Sequence, residues 1–137
     1  MEIPIYQVDA FADRAFAGNP AAVCPLDEWL PDAPMQALAM ENNLAETAYF
    51  VKFGERYHLR WFTPEIEMDL CGHATLASAW VIFNKLEPGR GEVRFDTRSG
   101  ELVVARSGDL LRLDFPSRPP KPVEAWSGLE AALGGAK

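Results

Sequence analysis

The sequence predicts an α+β fold, and two observations carry that prediction. Segments rich in β-forming residues, several of them alternating apolar and polar side chains, are separated by short turns that contain glycine. Among them lies Ala74–Asn84, which is apolar nearly all round and therefore typical of a buried helix. The resulting order of strands, helix, strands, buried helix and strands favours an α+β arrangement.

The N-terminal part of the chain predicts two strands followed by a helix. Ile3–Phe11 alternates and is rich in β-formers, which indicates a strand. Gly18-Asn19-Pro20 is a turn signal, since Gly and Asn tolerate positive φ and Pro fixes its own φ. Ala21–Pro25 then predicts a short apolar strand. Pro31–Asn43 predicts a helix, because its proline suits a helix start and its paired asparagines suit a helix end.

A hairpin comes next. Thr47–Phe53 and Tyr57–Phe62 predict two strands joined by the turn Gly54-Glu55-Arg56, and Thr63-Pro64 then breaks the pattern. Beyond the buried helix, the loop Pro88–Gly91 leads into three strands with glycine-containing turns, as in a meander. These predicted strands are Glu92–Thr97, Glu101–Arg106 and Leu110–Phe115.

The end of the chain has a different composition. Pro116–Pro122 is rich in proline and basic residues, which predicts a linker that leaves a finished lobe. Trp126–Leu133 predicts a short helix that ends at Gly134-Gly135.

Composition bounds the possible functions. The 137 residues suit a single domain, and 48% hydrophobic with 24% charged residues is an ordinary globular balance. The chain has 20 acidic and 13 basic side chains and a net charge of −7. Without a cluster of Lys and Arg, neither nucleic acid nor an anionic membrane is an expected partner.

The cysteine count and the apolar runs indicate a cytoplasmic protein. Cys24 and Cys71 are far apart, and a secreted disulfide scaffold of this length usually carries more cysteines. The first residues show neither a basic n-region nor an apolar h-region, so we expect no signal peptide. No apolar run approaches the roughly 20 residues that span a bilayer.

Five segments, in matching order and spacing, resemble the family of phenazine-biosynthesis isomerases, whose fold is shared with diaminopimelate epimerase. The segments are Gln7–Phe11, Phe16–Val23, Glu41–Val51, Arg60–Pro64 and Asp69–Leu76. The resemblance implies two similar lobes with the active site between them, each lobe a barrel-like, mostly antiparallel sheet around a central helix. Residues 1–119 would form the N-terminal isomerase-like lobe, and 120–137 the linker and the start of the connection to a second lobe that this chain lacks.

By the same resemblance the reaction is a proton shift on a small carboxylate-bearing substrate, without metal or organic cofactor. Glu46 matches the family's catalytic glutamate. A carboxylate can shuttle a carbon-bound proton if its pKa is near working pH, and apolar surroundings raise a carboxyl pKa. The apolar neighbours of Glu46 in sequence make a partly dry environment plausible; the alternative is a solvated glutamate at a strand start.

The turn Cys71-Gly72-His73 precedes the buried helix, whose first N–H groups have no partner within the helix. With Ala74, this turn is the expected binding site for the substrate carboxylate. His73 is expected to bind substrate or pass a proton onward, since its reference pKa is near neutral. The alternatives are a helix end with nothing bound and a structural histidine.

Cys71 has two interpretations. Its position matches a catalytic cysteine of the related epimerases, and a thiol at a helix N-terminus has a lowered pKa, so an amino-acid racemase or epimerase using Cys71 is the alternative enzyme. The other interpretation is a buried structural cysteine. A lobe that binds small molecules without turnover is a further alternative.

Three remaining expectations concern metal, Asn19 and assembly. The alternation of Glu67, Asp69, Cys71 and His73 suggests a metal site, but the Pro and Gly in this stretch argue against a continuous strand, so we expect none. Asn19 is expected to form the turn or to face the substrate cleft. A chain with one lobe is expected to work as a homodimer or paired with a second lobe.

Overall fold

Eight strands form one mixed sheet that curls as a half-barrel around a helix. The computed structural model describes residues 1–135. The strands are β1 (Tyr6–Ala10), β2 (Asn19–Leu26), β3 (Glu46–Phe53), β4 (Arg56–Phe62), β5 (Glu67–Met68), β6 (Glu92–Thr97), β7 (Gly100–Ser107) and β8 (Leu110–Asp114). The helices are α1 (Asp32–Asn42), α2 (Gly72–Val81), which continues as a π-helical turn (Ile82–Leu86), and α3 (Leu129–Ala132).

The sheet order is β1-β2-β3-β4-β6-β7-β8, and β5 pairs with β4. Most neighbours are antiparallel, which confirms the predicted character of the sheet. The pairs β2–β3 and β4–β6 are parallel, because α1 and α2 respectively lie in the connections that return the chain to the same end of the sheet. Within residues 1–135, no helix is long and apolar enough to cross a membrane.

The helix α2 lies inside the half-barrel and packs against β1, β2, β3 and β8. Its sequence, GHATLASAWV, is built mainly from small residues, which let the strands approach it closely. The Thr75 hydroxyl of this helix is paired on both sides: it accepts from Trp61 Nε1 at 3.2 Å and donates to the Cys71 carbonyl at 2.7 Å. The predicted buried helix is therefore confirmed.

A second, smaller cluster covers the outer face of the sheet. Met35 and Ala39 of α1 pack there against Cys24, Tyr49 and Phe62. The Tyr49 hydroxyl donates to the Met35 carbonyl at 2.8 Å, which ties α1 to β3. Because side chains alternate across a strand, β3 directs its odd-numbered residues toward α1 and its even-numbered residues toward α2.

The structure departs from the predicted elements at a few places. The two-residue strand β5 is not foreseen, and the buried helix starts at Gly72 and changes to π-helical geometry at Ile82. The predicted helix Trp126–Leu133 shrinks to the single turn α3, none of which is buried, since isolated short helices are marginal in water.

The division at residue 119 stays a prediction. Residues 115–126 contain no helix or strand. Of the segment 120–137 interpreted as a connection, residues 136–137 lie outside the described range.

Candidate active site

Glu46 begins β3 and lies opposite Ala21 in the parallel pair with β2. It shares a strand face with Ala48 and Phe50, both of which belong to the core around α2. Its side chain is therefore directed into the half-barrel, and only 6% of the residue is exposed. The expected dry environment of Glu46 is confirmed, and the solvated alternative is wrong.

The N-terminus of α2 lies beside this carboxyl. Cys71 is the N-cap residue; its backbone is extended, and its side chain makes no capping hydrogen bond. Gly72 follows, and a β-carbon added to it would contact the ring of Phe115 at 3.6 Å. Because these residues begin the helix, the first N–H groups of α2 have no partner within the helix and carry a partial positive charge.

The Cys71 thiol lies near both Glu46 and His73. The Cys71 sulfur lies 3.2 Å from Nδ1 of His73. The same thiol lies close enough to the Glu46 carboxyl for each group to influence the pKa of the other. Three of the residues singled out from sequence are therefore close together, although Glu46 and Cys71 are on separate elements.

Burial sets the protonation of this group. Desolvation raises the pKa of Glu46 from an ordinary 4.5 to about 7, and the neighbouring Cys71 thiol opposes part of that rise. Burial also lowers the pKa of His73, with the nearby Pro20 carbonyl acting in the opposite direction. At neutral pH the site therefore holds a carboxyl near its midpoint and an uncharged imidazole.

The expected lowering of the Cys71 pKa is wrong. Burial raises the pKa of this thiol to about 12, and the adjacent Glu46 contributes to the rise. The N–H groups of His73 and Ala74 favour the thiolate, but desolvation outweighs them. In this lobe Cys71 is therefore a neutral thiol at neutral pH, which does not favour the racemase alternative.

Two polar atoms of the site have no partner within residues 1–135. They are Oε2 of Glu46 and Nε2 of His73, and both are buried. A buried polar atom without a hydrogen bond costs roughly 1–3 kcal/mol, so such atoms are rare unless a ligand or water pairs with them.

The other predicted site residues are less directly placed. Ala74 is fully buried, so only its backbone can take part in binding. Asn19 is partly exposed and is the first residue of β2, paired with Ala10; the turn is made by Gly18, with φ of +92°. The expectation that Asn19 forms the turn is wrong, because strand pairing extends further than the local turn signal indicates.

Sequence reasoning missed Phe115 and Pro20. Phe115 lies against Gly72 from beyond β8, and the Pro20 carbonyl affects His73. Nothing local in the sequence pairs these residues, since each contact joins distant elements.

The alternating residues 67, 69, 71 and 73 do not form one group: Cys71 is in contact with His73, whereas Glu67 and Asp69 both lie beside Arg98. Glu67 forms ion pairs with Arg60 at 2.7 Å and with Arg98 at 2.9 Å. In the part of the chain that the structure describes, no three His, Cys, Asp or Glu side chains are grouped as metal ligands would be.

A family model described as phenazine biosynthesis-like protein matches residues 8–125. A Pseudomonas aeruginosa protein named an uncharacterized isomerase is 60% identical over 134 residues, covering 98% of this chain and 52% of that protein. Mouse phenazine biosynthesis-like domain-containing protein 1 is 45% identical over 145 residues, covering 98% of this chain and 50% of that protein. The chain spans about half the length of the curated relatives it matches.

Two solved structures superpose on this chain. A phenazine biosynthesis protein of the PhzF family from Enterococcus faecalis superposes with a TM-score of 0.89 at 52% identity, covering 98% of this chain and 52% of that one. A predicted epimerase from Pseudomonas aeruginosa superposes with a TM-score of 0.69 at 28% identity, covering 80% of this chain and 41% of that one. These likenesses confirm the predicted fold, a diaminopimelate epimerase-like lobe.

Proposed function

Because this chain belongs to the phenazine biosynthesis-like protein family, we propose that it is the N-terminal lobe of an isomerase or epimerase that moves a proton on a small carboxylate-bearing substrate. One observation carries the proposal: the buried carboxyl of Glu46 has a pKa raised to about 7 and an oxygen that finds no partner within residues 1–135. A general acid/base works best when its pKa is near the working pH, because it can then both take and return a proton. Glu46 has this property.

Substrate binding is assigned to the start of α2. In this proposal the N–H groups of Gly72, His73 and Ala74 hold the substrate carboxylate; the partial positive charge at the start of α2, which favours an anion, supports this role. Nε2 of His73 is a second candidate contact, because it is buried and has no hydrogen-bond partner within residues 1–135. A proton transfer of this kind can be carried by side chains alone.

Catalysis in this proposal requires a second lobe. The matched relatives are about twice as long as the match, and a proton shift on carbon needs a site closed to water. A second copy of this chain, or a separate second lobe, would close the cleft over Glu46. The alternative, a binding lobe without turnover, is favoured only by this half-length coverage.

The test is exchange of substrate hydrogen with solvent. The chain is incubated in heavy water with a panel of small amino and hydroxy carboxylates, and carbon-bound hydrogen is followed by proton NMR. At concentrations at which the chain pairs with a second copy, we expect exchange with wild type and with Glu41→Gln, an exposed glutamate that serves as matched control. We expect no exchange with Glu46→Gln, whose amide cannot act as a base; exchange at the wild-type rate in that variant would refute the role of Glu46.

A further inference from the structure

A groove of about 630 Å³ opens on the surface next to the start of α2. Three segments form it: the approach to α2, the turn between β6 and β7, and the segment that follows β8. We call it the arginine groove, and its lining residues are Asp69, Arg98, Ser99, Pro116, Ser117 and Arg118. None of these residues belongs to the candidate active site around Glu46.

The arginine groove adjoins that site through two of its segments. Asp69 comes three residues before Gly72, so their Cα atoms are at most about 11 Å apart. Pro116 directly follows Phe115, whose ring lies beside Gly72. The groove is therefore within reach of a small molecule that lies at the start of α2.

Hydrogen bonds between the three segments hold the groove in shape. The Ser99 hydroxyl donates to the Asp69 carbonyl at 2.7 Å and accepts from Nη2 of Arg118 at 3.2 Å. The turn that carries Ser99 is fixed by Thr97, whose hydroxyl accepts from the Ser99 N–H at 3.1 Å and donates to the Gly100 carbonyl at 2.8 Å. Because one hydroxyl joins segments that are distant in sequence, the walls of the groove meet without a ligand.

Two guanidinium groups line the groove, in a chain whose net charge is −7. Arg98 is paired with acids: its Nη2 lies 2.9 Å from Oε2 of Glu67, and its Nη1 lies 3.6 Å from Oδ1 of Asp69. Arg118 is exposed and donates to the neutral Ser99 hydroxyl. No carboxylate within residues 1–135 forms an ion pair with Arg118, so a neighbouring acid does not neutralise its charge.

We propose that the arginine groove binds an oxyanion, a carboxylate or a phosphate, with Arg118 as its main contact. A guanidinium presents parallel N–H donors whose spacing matches two oxygens of such a group. The Ser117 hydroxyl lines the same groove and supplies a further donor. Asp69 is the one acid of the lining, and its pairing with Arg98 limits its repulsion of an anion.

The oxyanion has two possible sources. It is either a second acidic group of the substrate, whose first carboxylate lies at the start of α2, or a separate small anion. In the first case the inference rests on the proposed function and narrows the substrate class to small diacids. In the second case the site is independent of that function.

The test is a titration of the chain with inorganic phosphate at low ionic strength, followed by backbone amide NMR. We expect saturable shifts of the Ser99 and Ser117 signals in wild type. Arg118→Gln should weaken this binding at least about fivefold, because it removes both the charge and the paired donors. Arg118→Lys keeps only the charge, so its affinity should be intermediate.

The matched control is Arg112→Gln, which removes an exposed arginine of β8 that does not line the groove. It should bind phosphate as wild type does, and the amide spectra verify that each variant is folded. Equal weakening in Arg112→Gln and Arg118→Gln would indicate general attraction of anions and would overturn the proposal. The absence of saturable shifts at Ser99 and Ser117 in wild type would also overturn it.

Glutarate and butyrate distinguish the two sources of the oxyanion. If the groove holds a second acidic group of one molecule, glutarate should shift the signals of Ser117 and Gly72 with a single dissociation constant, and Arg118→Gln should weaken glutarate but not butyrate. If the groove holds a separate anion, glutarate should behave as butyrate does, while phosphate binding still depends on Arg118. Either pattern supports an oxyanion site in the groove.

The two proposals fail separately. Phosphate binding that depends on Arg118, in a chain that exchanges no carbon-bound hydrogen, would support the groove and contradict the proposed function. Exchange that requires Glu46, in a chain without saturable binding in the groove, would support the proposed function and overturn the oxyanion site.

Discussion

Replacing Glu46 by glutamine should make the chain more stable at neutral pH while leaving its stability at acid pH nearly unchanged. In the folded chain the pKa of this carboxyl is about 7, against 4.5 ordinarily, because burial disfavours the charge. A raised folded-state pKa contributes stability that is fully present below the unfolded pKa and is lost as pH rises through the folded one. The window of loss is therefore pH 4.5 to about 7.

The expected size follows from the same two values. The difference between 4.5 and about 7 corresponds to roughly 3 kcal/mol, at about 1.4 kcal/mol for each tenfold change in proton affinity. Glutamine does not titrate, so the free energy of unfolding of Glu46→Gln minus that of wild type should rise by about 3 kcal/mol across this window. If the variant loses an interaction with Cys71, the difference in the free energy of unfolding changes by the same amount at every pH, and its pH dependence stays the same.

The assay is urea unfolding followed by tryptophan fluorescence at steps between pH 4 and pH 8, since Trp61 is 1% exposed and reports on the core. Glu41→Gln, at an exposed position of α1, is the matched control and should show a flat difference. A flat or falling difference for Glu46→Gln would refute the argument that burial controls this carboxyl.

Gly18→Ala should destabilise the chain by more than ~1 kcal/mol, because an added β-carbon would lie 2.3 Å from the Ala10 carbonyl and φ is +92°. Gly54 also has a positive φ but no such contact, so Gly54→Ala is the control. An equal shift in melting temperature for the two variants would contradict the steric argument. Phe95→Ala should lower the free energy of unfolding in urea by about 3–5 kcal/mol, since the ring is fully buried. Phe53 is 70% exposed, so Phe53→Ala should lower it far less. Similar decreases for the two variants would count against this description of the core. Sedimentation velocity should show self-association of any catalytically active preparation, and a strictly monomeric chain that still exchanges substrate hydrogen would refute the need for a second lobe.

Much of the fold follows from local patterns. The strand Glu92–Thr97 has the predicted bounds, and the helix α2 is where the all-round apolar segment places it. Period-two alternation and an apolar helix are recorded in neighbouring residues, so a single sequence suffices to find them. The ends are less well determined, as β1 and α3 show, because fraying depends on what the rest of the fold covers.

The candidate site is recorded in the sequence only as separate segments. The motif around Glu46 and the turn Cys71-Gly72-His73 identify the residues through their resemblance to a family. Their separation along the chain says nothing about contact, and the parallel pairing of β2 with β3 that directs Glu46 toward α2 is a long-range choice.

By itself, the sequence determined the α+β class and the buried helix, and its resemblance to a family nominated the residues of the candidate site. The tertiary structure alone decided their chemistry: it buries Glu46 beside Cys71, and it makes Cys71 a neutral thiol where its helix-terminal position predicted a reactive one. The physical reason is that a pKa depends on desolvation by residues distant in sequence, and this burial outweighs the local field of a helix end.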